Sequence, residues 1–327
     1  VSTPTVDRGV LTEAEAALVV AEARQAQRAQ QRARTIALIL AAWATLETDD
    51  MVRSWVRDVG QRIYVLLSLM QQVFASGSGP YVRISIAAQG VDLIDVPPVN
   101  PANFAGIASD GRDLESLLAG AVIRTRIRIR RGESTAEAMQ AGADFLSAVA
   151  RTQLSDAGRA ADQVAIIAAE PEAPTKATSL GWVRMLQPPS CGRCAILAGK
   201  FYKWSEHFYR HINCDCLHIP VLENVAGDLT TDPKLYFESL SEPAQNELFG
   251  KANSEAIRAG ADMSAVINAA TRKNGMVVAD DGRRYTREGS TRRNGAVLRP
   301  TPWQIMRDAK GSREEARRLL RDWNYLF

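Results

Sequence analysis

The sequence predicts a mainly α protein, with a long helical N-terminal region, a small α+β module rich in Cys and His, and a helical C-terminal region with a hairpin. Three observations predict it. Helix-forming residues with apolar positions at helical spacing dominate residues 11–75 and 113–169. All four Cys and all three His fall between Cys191 and His218. The turn signal Asp280-Asp281-Gly282 separates Met276-Val277-Val278 from Arg283-Arg284-Tyr285. The 327 residues suit two or three domains. The boundaries read from the sequence are 1–170 for the helical region, 175–225 for the Cys/His module and 226–327 for a C-terminal α+β region.

The elements follow in order. Thr12-Glu13-Ala14-Glu15 starts a helix, since acids in the first turn complement its dipole. Asp49-Asp50 caps a second helix that carries Val52, Trp55, Val56, Val59, Ile63, Leu66 and Leu67 along one face. That stripe is expected to dock on a partner or to fill an internal helix bundle. Ser76-Gly77-Ser78-Gly79-Pro80 ends the helix, and residues 81–112 read as a loop-rich insert. Helix returns over 113–169 with a break near Gly132, and Pro171 and Pro174 mark a linker. Two helices are predicted at about 233–250 and 253–271, and Thr301-Pro302-Trp303 opens a last one reaching Trp323.

Composition is that of an ordinary globular protein, with 46% hydrophobic and 24% charged residues. A net charge of +3 is too mild to argue nucleic-acid binding for the whole chain. The cations are mostly Arg, and no Lys precedes Lys176. The first ten residues lack the basic and apolar regions of a secretory signal. The longest apolar run, Thr35 to Trp43, falls well short of the ~20 residues of a spanning helix. The expectation is a soluble protein made in a cytoplasm, with no membrane partner. There, clustered cysteines serve as metal ligands or catalysts rather than disulfides.

The chemistry concentrates in one motif. Cys191-Gly192-Arg193-Cys194 is a C-x-x-C pair, and His211-Ile212-Asn213-Cys214-Asp215-Cys216 adds His-x-x-Cys-x-Cys about twenty residues later. Zinc takes four tetrahedral N or S ligands, and a C-x-x-C turn supplies two. Cys191, Cys194, His211, Cys214 and Cys216 are thus five candidates for four places, so His211 or one of Cys214 and Cys216 is spare or supports the ligands from outside. The module is therefore predicted to be a zinc-binding one, with the zinc structural. A redox C-x-x-C would open a helix in a βαβ unit, and it leaves the second Cys pair unexplained. His207 and His211 are spaced i, i+4, but Phe208 stands where a zinc protease needs Glu. His207 and His218 read as surface or packing histidines.

At these residues the chain resembles the MuF-like minor head proteins of tailed bacteriophages. The resemblance rests on Ala150-Arg151-Thr152, Trp182, Cys191 with Cys194, and His211-Ile212-Asn213-Cys214-Asp215-Cys216 followed by Pro220. It covers roughly residues 145–222. The stretches Tyr236 to Leu240, Ala256 to Asp262, and Pro302-Trp303-Gln304-Ile305 to Leu320 are similar to the actinobacteriophage variant, often labelled a capsid maturation protease. The resemblance implies a minor capsid protein of head morphogenesis, associated with the portal and packaged inside the head. It would be found in the virion and, during assembly, in the host cytoplasm. The implied partners are the portal protein, the scaffold or major capsid protein, and packaged DNA. The alternative function is a capsid maturation protease. Against it, the chain has no Gly-x-Ser-x-Gly elbow and keeps all its imidazoles in the Cys cluster, so no catalytic residue is named.

Two basic features remain. Arg124-Thr125-Arg126-Ile127-Arg128-Ile129-Arg130-Arg131 could meet DNA phosphates or an acidic protein surface, or form a solvated helix face. Arg283-Arg284 and Arg292-Arg293 form a second basic patch on a loop.

Overall fold

The computed structural model describes residues 11–96, 98–171, 179–206, 208, 211, 213–269, 276–286, 299–310 and 312–323. The fold is mainly α, 64% helical, with a small three-stranded antiparallel sheet and a Cys/His cluster. By packing, the chain divides into two compact units, residues 1–185 with 200–230, and residues 186–199 with 231–327.

In the first unit, α1 (Glu13–Trp43) opens on a capping box. Glu15 N donates to Thr12 Oγ1 (3.2 Å), and Thr12 N donates to Glu15 Oε2 (2.8 Å). A short α2 (Met51–Ser54) runs through a π-turn, Trp55–Val59, into α3 (Gly60–Ala75). Gly60 is required there, since a Cβ would lie 2.7 Å from the Trp55 indole. Gly77 (φ +71°) breaks the chain, and α4 (Ser78–Ala87) follows at once. The expected loop from residue 81 is thus corrected. Gly79 and Pro80 sit in the first turn of a helix, where a missing N–H costs nothing. After β1 (Leu93–Asp95) and a 3₁₀ turn, Pro101–Phe104, come α5 (Leu114–Arg130) and α6 (Thr135–Ala168). Gly132 (φ +90°) makes the break between them, and a Ser134/Glu137 capping box restarts the helix. The two-residue β2 (Glu170–Pro171) pairs with β1.

The larger core of this unit gathers Ile39, Trp43, Trp55, Val59, Ile63, Leu67, Leu118 and Leu146 from α1, the π-turn, α3, α5 and α6. Trp55, Val59 and Ile63 are therefore interior, and Leu66 packs against the same core. Trp55, Val59, Ile63, Leu66 and Leu67 of the predicted stripe thus belong to an internal bundle. Exposed apolar residues on this stretch are instead Val52, Val56, Val65 and Leu69. The bundle is also pinned by a buried ion pair. Arg28 on α1 meets both oxygens of Asp162 on α6 (2.6 and 3.0 Å) and donates to Phe74 O (2.9 Å). Ser78 Oγ adds a bond to Asp162 Oδ1 (2.8 Å). Burial alone would raise the Asp162 pKa, but Arg28 and Arg24 outweigh it and hold the carboxyl below its ordinary value.

The sheet contains β3 (Leu180–Met185), β4 (Phe201–Lys203) and β5 (Leu217–Leu222) in the order β4-β3-β5, all antiparallel. The N-terminal half of α1 buries Ala14, Ala17 and Ala21 in a core with Val183, Leu217, Ile219 and Val221. Helix α4 covers the open edge of β5. Tyr81 Oη donates to His218 O (2.7 Å), Gln89 Nε2 donates to Pro220 O (3.0 Å), and Leu222 N donates to Gln89 Oε1 (2.9 Å). These bonds satisfy backbone groups that an edge strand would leave exposed.

The chain leaves β3 into the second unit through α7 (Gly192–Ala198) and then returns as β4. A one-turn α8 (Ala226–Leu229) closes the first unit. The second unit continues with α9 (Pro233–Ser239), α10 (Glu242–Phe249), α11 (Lys251–Arg258) and α12 (Met263–Ala269). Each of the two long helices predicted here is split. Pro243 starts a new helix after Ser241, and Gly260 (φ +97°) ends α11. The hairpin pairs β6 (Met276–Val278) with β7 (Arg284–Thr286), and β8 (Arg299–Pro300) adds a third strand. Finally, α13 (Pro302–Asp308) and α14 (Arg313–Asp322) bury Ile305 and Leu320 with Ala256 and Val266. Arg283 pairs with Asp308 (2.8 Å), whereas Arg292 and Arg293 lie outside the described residues. All five arginines of the run on α5 and its end, residues 124–131, are exposed, and Arg128 meets Glu133 (2.6 Å).

Candidate metal centre

Cys191 occupies the N-cap of α7 and Cys194 lies in its first turn. A seven-residue helix needs anchoring to hold such a turn. Ala195 packs with Phe237, Phe249 and Ile267, and Ser190 N donates to Tyr236 Oη (2.8 Å). Gly192 allows the close packing, since a Cβ there would lie 2.7 Å from the Phe249 ring.

The second arm is a tight turn. Cys214 N donates to His211 O (3.1 Å), and Asn213 takes a left-handed conformation (φ +64°), which Asn tolerates better than most residues. Asn213 N donates to Thr152 Oγ1 of α6 (3.1 Å). Cys214, Asp215 and Cys216 lie between this turn and β5, with the Cys214 and Cys216 sulfurs within 4.8 Å of each other. Asp215 faces Arg32 (3.6 Å), and burial raises its carboxyl pKa. The carbonyls of Cys214 and Cys216 both accept from Arg159 Nη1 (3.0 and 2.9 Å).

The donor atoms converge. Those of Cys191, Cys194 and His211 lie within 4.8 Å of one another, as do those of Cys194, Cys214 and Cys216. Cys194 is common to both triads. Cys194, Cys214 and Cys216 are buried, Cys191 and His211 are half-buried, and all four cysteines are present as thiols. Four thiols and an imidazole at this separation suit one ion with bonds of roughly 2.0–2.3 Å to each ligand. The cluster could therefore hold a metal ion.

The other histidines differ. His207 lies outside the described residues. His218, on β5, is fully buried, edge-on to Trp182 (4.6 Å between centroids) and against Phe208 (4.5 Å). Burial pushes its pKa down to about 3, so it packs as a neutral ring. It does line a cavity of about 530 Å³ in the first unit, together with Ser109 and Asp156. These three are no assembled nucleophile relay. Among the described residues neither ring nitrogen of His218 has a hydrogen-bond partner, both are closed off by protein, and Ser109 Oγ accepts from Gln153.

Arg159, Arg184 and Thr152 are the site-supporting residues that spacing alone did not single out for this role. Arg184 left a signal as a lone charge within the apolar stretch Leu180–Met185, and Thr152 as part of Ala150-Arg151-Thr152. No protein family, curated protein or solved structure matches this chain.

Proposed function

We propose that this chain is a minor head protein of a tailed bacteriophage, of the MuF-like kind, in which a structural zinc ion ties together the two Cys arms. The single observation that carries this reading is the convergence of Cys191, Cys194, His211, Cys214 and Cys216, the residues on which the resemblance rests. The contact of Asn213 with Thr152 adds support, because it joins two separate parts of the same motif. Zinc suits the donor set because thiolate and imidazole ligands select it over harder cations. An ion enclosed by protein donors has no open position for catalysis, which favours a structural role. On this reading the helical N-terminal unit meets the portal or the scaffold, and the exposed α5 arginines face acidic protein or packaged DNA. Among the described residues, no helix is long and apolar enough to cross a membrane.

The test has two arms. Elemental analysis of the purified chain should find about one zinc per chain. Co-expression with portal, scaffold and major capsid proteins should place the chain inside assembled heads, with the capsid protein uncut by it. Absence of zinc sinks the metal reading, exclusion from heads sinks the assembly role, and cleavage of the capsid protein makes the maturation protease the function.

A further inference from the structure

The Cys214–Cys216 arm lies against two buried guanidinium groups. Arg184, on β3, is 1% exposed and directs Nη1 at Cys214 Sγ (3.8 Å). Arg159, on α6, is 4% exposed, holds the two Cys carbonyls and pairs with Asp156. The Phe208 ring lies under both, 3.9 Å from the Arg184 guanidinium carbon and 5.3 Å from that of Arg159. Burying a cation is expensive unless negative charge is near. A neutral thiol is a weak acceptor, whereas hydrogen bonds to an ionised acceptor are roughly twice as strong as neutral ones. A divalent ion bound by three or four thiolates leaves a net negative centre, which a fixed guanidinium complements.

We propose that Arg184 and Arg159 are the positioning residues of this metal centre, Arg184 by donating to the metal-bound Cys214 thiolate and balancing its charge, Arg159 by fixing the Cys214–Cys216 backbone so that both sulfurs present on one side. The inference rests on the metal reading above and names what sustains that site from outside the ligands. The two roles differ chemically. Arg184 acts on a sulfur, so its charge and its fork both matter. Arg159 acts on carbonyls, so it sets the shape of the arm. Neither side chain touches the ion.

The experiment uses the full chain and zinc alone. Wild type, Arg184→Met and Arg184→Lys are compared by competition with a chromogenic chelator, and by thermal unfolding with and without zinc. Arg184→Met should lose roughly 10–100-fold in zinc affinity, the usual cost of losing an outer partner of a ligand. Arg184→Lys keeps the charge and should recover part of that loss. The metal-stripped proteins should unfold at similar temperatures, while the gain in melting temperature on adding zinc shrinks in the Met variant. Should Arg184→Met fail to fold, a weakened zinc response in Arg184→Lys still supports the proposal. Wild-type affinity in both variants overturns it, as does an equal fall in melting temperature with and without zinc, which marks Arg184 as packing alone. A wild type that binds no zinc overturns the metal reading together with this one. A wild type that binds zinc with variants that bind it equally well overturns this inference only.

Discussion

Cys194 is the donor shared by both triads, so Cys194→Ser tests the centre at its joint. The substitution replaces a sulfur by a smaller, harder oxygen in both triads at once. A structural zinc contributes an apparent ~10–16 kcal/mol at neutral pH. Divided over four ligands, that is about 3 kcal/mol for each, or roughly a hundredfold in affinity at 1.4 kcal/mol per tenfold. Cys194→Ser should therefore lose at least about a hundredfold by this per-ligand arithmetic. Cys191→Ser, which leaves the buried triad of Cys194, Cys214 and Cys216 intact, should lose less. The assay is zinc per chain after gel filtration, followed by chelator competition on each variant. A Cys194→Ser protein that keeps a full zinc, or a Cys191→Ser protein that loses more than it does, would refute the reasoning from shared donors.

Other expectations concern the frame around the site. Asp162→Asn leaves Arg28 buried against a neutral partner and should cost about 3–5 kcal/mol in urea unfolding, as broken buried pairs do. Because Asp162 is held below its ordinary pKa, its contribution is complete above the unfolded value of about 3.9 and is lost as pH falls through the lower folded value. The wild type should thus lose stability in acid where Asp162→Asn changes less, and parallel pH curves would dismiss the ion pair as a stabiliser. His218→Ala opens a cavity among Trp182, Phe208 and β5, so its melting temperature should drop by the equivalent of about 2–4 kcal/mol. An unchanged melting temperature would contradict the packing role. Val59→Glu should prevent folding, because it buries a lone charge, whereas Val56→Glu, at a 72% exposed position, should change stability by no more than about 0.5 kcal/mol. If Val56→Glu remains folded but is left out of heads, that exposed face is part of the docking surface.

Local structure and the type of ligand chemistry were legible in the sequence. Thr12 with Glu15 announced a helix start, because a capping box is written within four residues. Gly132 marked the break between α5 and α6, and Asp281-Gly282 the hairpin turn, because positive φ favours particular residues. The Cys and His residues pointed to a metal by type and spacing. Tertiary structure decided what depends on distant partners. Gly77 and Pro80 read as a helix end, but they also begin α4, whose Tyr81 and Gln89 are held by β5 well over a hundred residues away. The face of Trp55, Val59 and Ile63 could have met a partner or an interior, since an apolar stripe specifies burial and not against what, and α1, α5 and α6 supply the interior. Arg159 and Arg184 carried no distinguishing spacing, yet the fold brings both to the Cys214–Cys216 arm. Capping and turn chemistry is short-range and written in adjacent residues. The choice of which cation lies against which sulfur is made only when α6, β3 and the His211–Cys216 turn pack together.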